Sequence, residues 1–148
     1  MCGRYSLFTE EESQEIRRII KSLDAKYPGN NMKHGEIYPT DTAPILCQQN
    51  NEIASELSIW GFPRFGAKGS IINARSETTD KHPMFKKSLH TRRCVIPSTG
   101  FFEWSQNGSK TKYRLTFLTT TLSIWREYSM NSTEKINLSF LQLPLICQ

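Results

Sequence analysis

Residues 43–61 read APILCQQNNEIASELSIWG, and the folding of this stretch decides the architecture. An apolar arm runs up to Asn50-Asn51 and a second arm returns from it. Two adjacent asparagines tolerate the left-handed backbone that a tight turn between strands demands, so the stretch predicts a hairpin. In the returning arm Ile53, Ser55, Leu57 and Ile59 recur with a period of two and share one side. Further strands are expected at SIINAR (70–75), RCVIPS (93–98), GFFEW (100–104), KYRLTF (112–117) and LSIW (122–125), with a second hairpin signal at Asn107-Gly108.

Working outward, TEEESQEIRRIIKSL (9–23) carries Ile16, Ile19, Ile20 and Leu23 at helical spacing, with Thr9 and Glu12 placed as a capping box. A short helix is expected at PMFKKSLH (83–90), and YPGNNMKHGEIYPTD (27–41) reads as an ordered loop. The fold class is therefore α+β, mostly antiparallel, with a few peripheral helices. Residues 1–148 read as one domain, without repeat or linker.

The chain carries 19 Lys plus Arg against 14 Asp plus Glu, a formal charge of +5 that suits a polyanionic partner without requiring one. With 37% hydrophobic residues it can bury a real core. Acidic residues from Glu10 onward exclude a secretory signal, and no stretch is long enough to cross a bilayer, so a cytoplasmic protein, nucleoid-associated when acting, is expected; a monomer is expected as well. Cys2, Cys47, Cys94 and Cys147 are far apart in sequence and form no C-x-x-C motif. Neither a metal site nor a cofactor is legible, and such cysteines suit a reducing compartment.

Three groups carry candidate chemistry. Cys2, once Met1 is removed, presents a thiol and an α-amine on adjacent carbons, and an amine of pKa about 7.7–8.0 is partly neutral at cellular pH. Such a 1,2-aminothiol condenses with an aldehyde and closes a thiazolidine ring; the plain alternative is a small residue at a frayed end. NARSE (73–77) places Asn73, Arg75 and Glu77 at alternating positions, on one face if the segment is a strand. That row can orient a sugar and hold a phosphate, or be a strand's solvent side. Glu103, between Phe102 and Trp104, suits acid/base work if desolvated, or is an ordinary surface carboxylate. WGFPRFG (60–66) reads either as core capping or as an aromatic wedge for bases. In KHPMFKKSLHTRR (81–93) a solvated helix face is expected, with Arg92 or Arg93 available to phosphate.

Taken together, MCGRYSL (1–7), YPTDTAPIL (38–46), WGFP (60–63), INARSET (72–78), RRCVIPSTGFFEW (92–104) and KYRL (112–115) resemble, in order and spacing, the SOS response-associated peptidase family of abasic-site processing proteins. The resemblance runs from residue 2 to roughly residue 128. It implies a barrel-like fold and autoproteolytic removal of Met1. It also implies a covalent thiazolidine link from Cys2 to abasic sites in single-stranded DNA, a β-lyase activity and a place in the DNA-damage response. Asn73 and Glu103 map onto the family's residues beside the cysteine, which orient the sugar and assist proton transfer. Arg4 and Arg75 map onto phosphate contacts, and Trp60 onto a contact with the bases. Pro39, Gly61 and Phe85 fall on positions of the same groove.

Two departures accompany the match. Pro83 stands where some relatives carry an arginine, and no histidine follows His90, although the family has one in a His-Asp-Arg-Met-Pro motif. The tail LSFLQLPLICQ (138–148) stops where further strands and that motif are expected, so the domain reads as shortened at its C-terminal end. Two rivals remain open. One is an N-terminal-cysteine amidohydrolase of the glutamine amidotransferase kind, which also begins Met-Cys-Gly. The other is a single-stranded-DNA-binding module that uses no cysteine.

Overall fold

The computed structural model describes residues 3–8, 14–64, 66–106, 108–116 and 123–124. Cys2, the proposed capping residues Thr9 and Glu12, Phe65, Asn107, Cys147 and the tail 138–148 lie outside them. In chain order the elements are β1 (Tyr5–Leu7), α1 (Gln14–Lys26), β2 (Gly35–Ile37), β3 (Thr42–Gln49), β4 (Glu52–Ile59), β5 (Phe62–Pro63) and β6 (Ser70–Ile71). These are followed by α2 (Ser76–Thr79), α3 (Pro83–Thr91), β7 (Cys94–Val95), β8 (Pro97–Ser98), β9 (Gly100–Trp104), β10 (Lys112–Leu115) and β11 (Ser123–Ile124). All strand pairs are antiparallel, in a four-stranded sheet β10-β9-β1-β2, a three-stranded sheet β4-β3-β7, and the pairs β8-β11 and β5-β6. The expected α+β, mostly antiparallel architecture is the one observed.

The β3-β4 hairpin forms because Asn50 and Asn51 adopt φ of 49° and 65°, the pair of left-handed residues that a two-residue turn needs. Gln49 is thereby set opposite Glu52, and the register runs unbroken to Thr42 opposite Ile59. The apolar row of β4 does not face the core. Ile53 and Ile59 are 79% and 60% exposed, whereas Ser58 on the opposite side is buried. That opposite side, with Ala43, Ile45 and Cys47 of β3, receives α1. Helix α1 buries Ile16 and Leu23, and Lys26 and Tyr27 at its end both bind Glu56 of β4. The shared side of Ile53 and Ile59 therefore faces outward, while Glu56 on the other side of β4 is bound by those two partners.

Between α1 and β3 the segment expected as a loop contains β2, paired with β1 from Tyr5–Ile37 to Leu7–Gly35. Ser6, fully buried on β1, donates to the Gly100 carbonyl at 3.2 Å and receives a hydrogen bond from the Thr99 hydroxyl at 3.1 Å. Thr99 N–H also donates to the Ser6 carbonyl at 2.8 Å. These bonds fix β1 at the corner between β8 and β9. Two apolar clusters result. The first joins Tyr5, Leu7, Ile16, Ile37, Ala43, Ile45, Cys47, Trp60 and Ile96, and the second joins Phe62, Ala74 and Phe85.

Other expectations shift in detail. The segment 70–75 is a strand only at Ser70–Ile71, and the chain turns into α2 immediately after Arg75, whose carbonyl accepts from Thr78 N–H and from the hydroxyls of Thr78 and Thr79. Three donors converging on one carbonyl favour a helical turn over continued pleating, so Asn73, Arg75 and Glu77 do not share a strand face. The segment 93–98 is broken at Ile96 into β7 and β8. The β9-β10 connection is longer than a two-residue turn: Ser105 N–H still pairs with the Thr111 carbonyl at 2.9 Å, with Gly108 at φ 84° and Lys110 at φ 50° beyond it. Helix α3 forms as expected, with Pro83 in its first turn.

Candidate functional site

The site is built where β1 meets β9. Tyr5 lies opposite Phe101 and Ser6 opposite Gly100, and Phe102 N–H donates to the Arg4 carbonyl at 3.0 Å. Because the strands are antiparallel, the N-terminal end of β1 approaches the Glu103–Trp104 end of β9. Side chains alternate across this sheet. Glu103, half-buried, and Tyr113 opposite it share the side of Phe101 and Tyr5. Arg4, Glu36, Tyr38, Phe102, Trp104, Lys112 and Arg114 project to the other side.

On that other side Arg4 is held on every flank. Its guanidinium donates to Glu36 at 3.0 Å and lies 4.2 Å from the Tyr38 ring centroid and 5.0 Å from that of Trp104. Glu36 also accepts from the Lys112 ammonium and, at 3.0 Å, from the Tyr38 hydroxyl. The Lys112 bond, then the Tyr38 bond and the Arg4 charge, hold the Glu36 carboxyl below the usual carboxylate range, against the opposing effect of partial burial. Lys112 lies 4.3 Å over Phe102, and Arg114 4.5 Å over Phe8. Cations and aromatic rings thus interleave over one sheet face, with Tyr38 and Trp104 about two-fifths exposed. Such a face offers stacking surfaces and positive charge to a single-stranded polyanion.

Beneath Arg4 the chain is apolar. Trp60 is 2% exposed and packs on Tyr5 with ring centroids 5.4 Å apart. Its backbone is pinned by Trp60 N–H to the Asp41 carbonyl and Thr40 N–H to the Trp60 carbonyl. Tyr5 is buried with it, and burial, with lesser contributions from Asp41 and Cys94, pushes its hydroxyl pKa up. Gly61 follows at φ 112°, and a Cβ there would stand 2.9 Å from that of Ser70. The Trp-Gly pair therefore lets β5 and β6 close against the core. Trp60 is a core side chain in this structure, and Phe62 at 3% exposure is likewise interior. The core-capping reading of this loop is the one its packing fits.

The remaining expected residues are distributed around this centre. Ile72 packs on the first cluster and Ala74 sits in the second, so Asn73 lies half-buried between the two. Arg75 is exposed at the start of α2, in extended conformation with φ −83° and ψ 129°. Pro39 is half-buried beside Tyr38. Phe85 is 7% exposed against Phe62 and His82, which makes it an interior ring of the second cluster. Arg93 donates through Nε to the Leu89 carbonyl at 2.7 Å and so caps α3. Among the described residues no group of three His, Cys, Asp or Glu side chains could hold a metal, and no helix is long and apolar enough to cross a membrane.

Sequence reasoning passed over Glu36, Tyr38 and Lys112. The usable signal was the i, i+2 spacing of Glu36 and Tyr38 in GEIY, which puts a carboxylate and a phenol on one strand face.

A family model described as SOS response associated peptidase (SRAP) matches residues 1–134. The abasic site processing protein YoqW of Bacillus subtilis is 33% identical over 124 residues, covering 76% of this chain and 51% of that protein. YobE of Bacillus subtilis, also named an abasic site processing protein, is 32% identical over 124 residues, and Escherichia coli YedK, of the same name, is 27% identical over 112. The chain spans about half the length of these relatives, covering 52% of YobE and 50% of YedK. A crystallised protein from Bacteroides thetaiotaomicron shares the fold with a TM-score of 0.61 at 20% identity, over 83% of this chain and 57% of that one. The chain belongs to the SOS response associated peptidase family.

Proposed function

We propose that the protein processes abasic sites in single-stranded DNA, and that Cys2, freed of Met1, forms a covalent thiazolidine link with the lesion. The observation that carries this reading is the antiparallel seating of β1 on β9, which brings the N-terminal end of β1 to the Glu103–Trp104 end of β9, with Arg4, Lys112 and Arg114 on the opposite side of the sheet from Glu103. The names of the relatives, abasic site processing proteins, support the substrate class.

In this reading the neutral α-amine of Cys2 adds to the aldehyde carbon of the ring-opened deoxyribose. Loss of water gives an imine, and the thiol adds across its C=N bond, its proton passing to nitrogen as the five-membered ring closes. Glu103 relays protons in the addition and dehydration, and Asn73 orients the sugar. Arg4 and the exposed Arg75 neutralise flanking phosphates. Autoproteolytic release of Met1 precedes all of this, β-elimination on the sugar is the accompanying lyase activity, and the protein acts on damaged DNA as a monomer in the SOS response.

An abasic single-stranded oligonucleotide, an intact control strand and free glutamine separate the readings. A heat- and detergent-resistant adduct on the abasic strand alone supports the proposal. Reversible binding to both strands points to the non-catalytic module, and glutamine hydrolysis to the amidohydrolase; either overturns it.

A further inference from the structure

Two of the cysteines that look isolated in sequence, Cys47 and Cys94, meet in space. Cys47 on β3 and Cys94 on β7 are directly opposed in the antiparallel register. Opposed residues project to the same face with Cα atoms about 4.5–5.5 Å apart, and a disulfide requires about 4.4–6.8 Å. Neither Cys47, which is buried, nor Cys94, which is half-buried, is in a disulfide in the structure. The Gln49 amide donates to Cys47 Sγ at 3.7 Å. From this register we infer that Cys47 and Cys94 form a reversible dithiol–disulfide couple, oxidised by low-molecular-weight disulfides such as oxidised glutathione.

The balance is that of thiol–disulfide exchange. The more accessible Cys94 thiolate attacks one sulfur of oxidised glutathione, forming a mixed disulfide and releasing one reduced glutathione. Cys47 then attacks the Cys94 sulfur, releasing the second. Two thiols of the protein are oxidised, one glutathione disulfide is reduced, and the two thiol protons leave with the glutathione products. The ring so closed contains residues 48–93, and with them Trp60, Gly61, Asn73, Arg75 and Phe85. Oxidation therefore clamps the base of the segment that carries these residues, and does so whether or not Cys2 acts on DNA.

The test uses the full 148-residue chain equilibrated in graded mixtures of reduced and oxidised glutathione. Free thiols are blocked with N-ethylmaleimide, the sample is digested, and cysteine peptides are quantified before and after reduction. The inference expects a Cys47–Cys94 linked peptide, with both cysteines leaving the maleimide-labelled pool in parallel and returning fully with reductant. In Cys94→Ser, Cys47 should stay maleimide-reactive at every ratio. Retention of both thiols at saturating oxidised glutathione, glutathione adducts without the internal link, or pairing with Cys2 or Cys147 would each overturn it.

Discussion

Replacing Trp60 by alanine separates a core role from a DNA-contact role. The ring is 2% exposed and packs on Tyr5 within the first apolar cluster. A buried aromatic side chain removes about 150–250 Å² from water, and at about 25 cal/mol per Å² that is worth about 4–6 kcal/mol. Truncations of Phe or Trp to Ala cost about 3–5 kcal/mol, in line with that figure. The indole Nε1–H is buried with no hydrogen-bond partner among the described residues. Trp60→Phe therefore recovers about 1–3 kcal/mol by removing an unsatisfied donor, offsetting part of the lost ring area. With a urea dependence of about 2 kcal/mol per M, Trp60→Ala should lower the unfolding midpoint by about 2 M, and Trp60→Phe by clearly less. Far-UV circular dichroism in urea reads both, beside binding of a single-stranded oligonucleotide under conditions where the variant is folded. A normal midpoint for Trp60→Ala with lost DNA binding would refute the core assignment.

Three further perturbations address other parts of the molecule. Glu36 has a folded-state pKa below its ordinary 4.5, so the stability it contributes is complete above pH 4.5 and is lost as pH falls through the folded value. Glu36→Gln should flatten that acid limb in urea titrations, and an unchanged acid limb would show that the Lys112, Tyr38 and Arg4 contacts contribute nothing. Gly100 has φ 150°, and a Cβ there would sit 2.5 Å from the Leu115 carbonyl oxygen. Gly100→Ala should cost at least about 1–3 kcal/mol and loosen β10 from β9, seen as faster amide exchange over 112–115; native exchange rates there would contradict it. Arg75→Glu, at an exposed position, should leave the stability read from urea unfolding within about 0.5 kcal/mol of the parent's. It should lower the salt dependence of single-strand binding by about 0.7 in log–log slope, whereas an unaltered slope would remove Arg75 from the DNA contacts.

Much of the frame could be read from local chemistry. Asn50-Asn51 set the hairpin, GFFEW and KYRL paired as expected, and Ile16 and Leu23 pointed α1 inward because each signal is contained within a few residues. The failures share a cause in contacts between distant segments. Strand β2 exists because β1 offers it a ladder, which the Pro, Gly and Asn content of 27–41 conceals. Ile53 and Ile59 face outward because α1 holds Glu56 on the inner side. Arg75 leaves the strand because two threonine hydroxyls reach back to its carbonyl. For the candidate site, Arg4 and Glu103 stand out through motifs, but the Glu36–Tyr38–Trp104–Lys112 surround of Arg4 assembles from three segments of the chain. The same holds for Cys47 and Cys94, separated along the chain and opposed across a ladder.

The central claim is chemical and concerns one residue. The full chain, incubated with a single-stranded oligonucleotide bearing one abasic site and then digested with trypsin and nuclease, yields an N-terminal peptide whose mass and fragmentation report the linkage. The account predicts that Met1 is absent, that the sugar remnant sits on Cys2 with both its nitrogen and its sulfur bonded to the former aldehyde carbon, and that Cys2→Ala gives no heat-stable adduct. A sugar remnant on a lysine, or an undiminished adduct from Cys2→Ala, would contradict it.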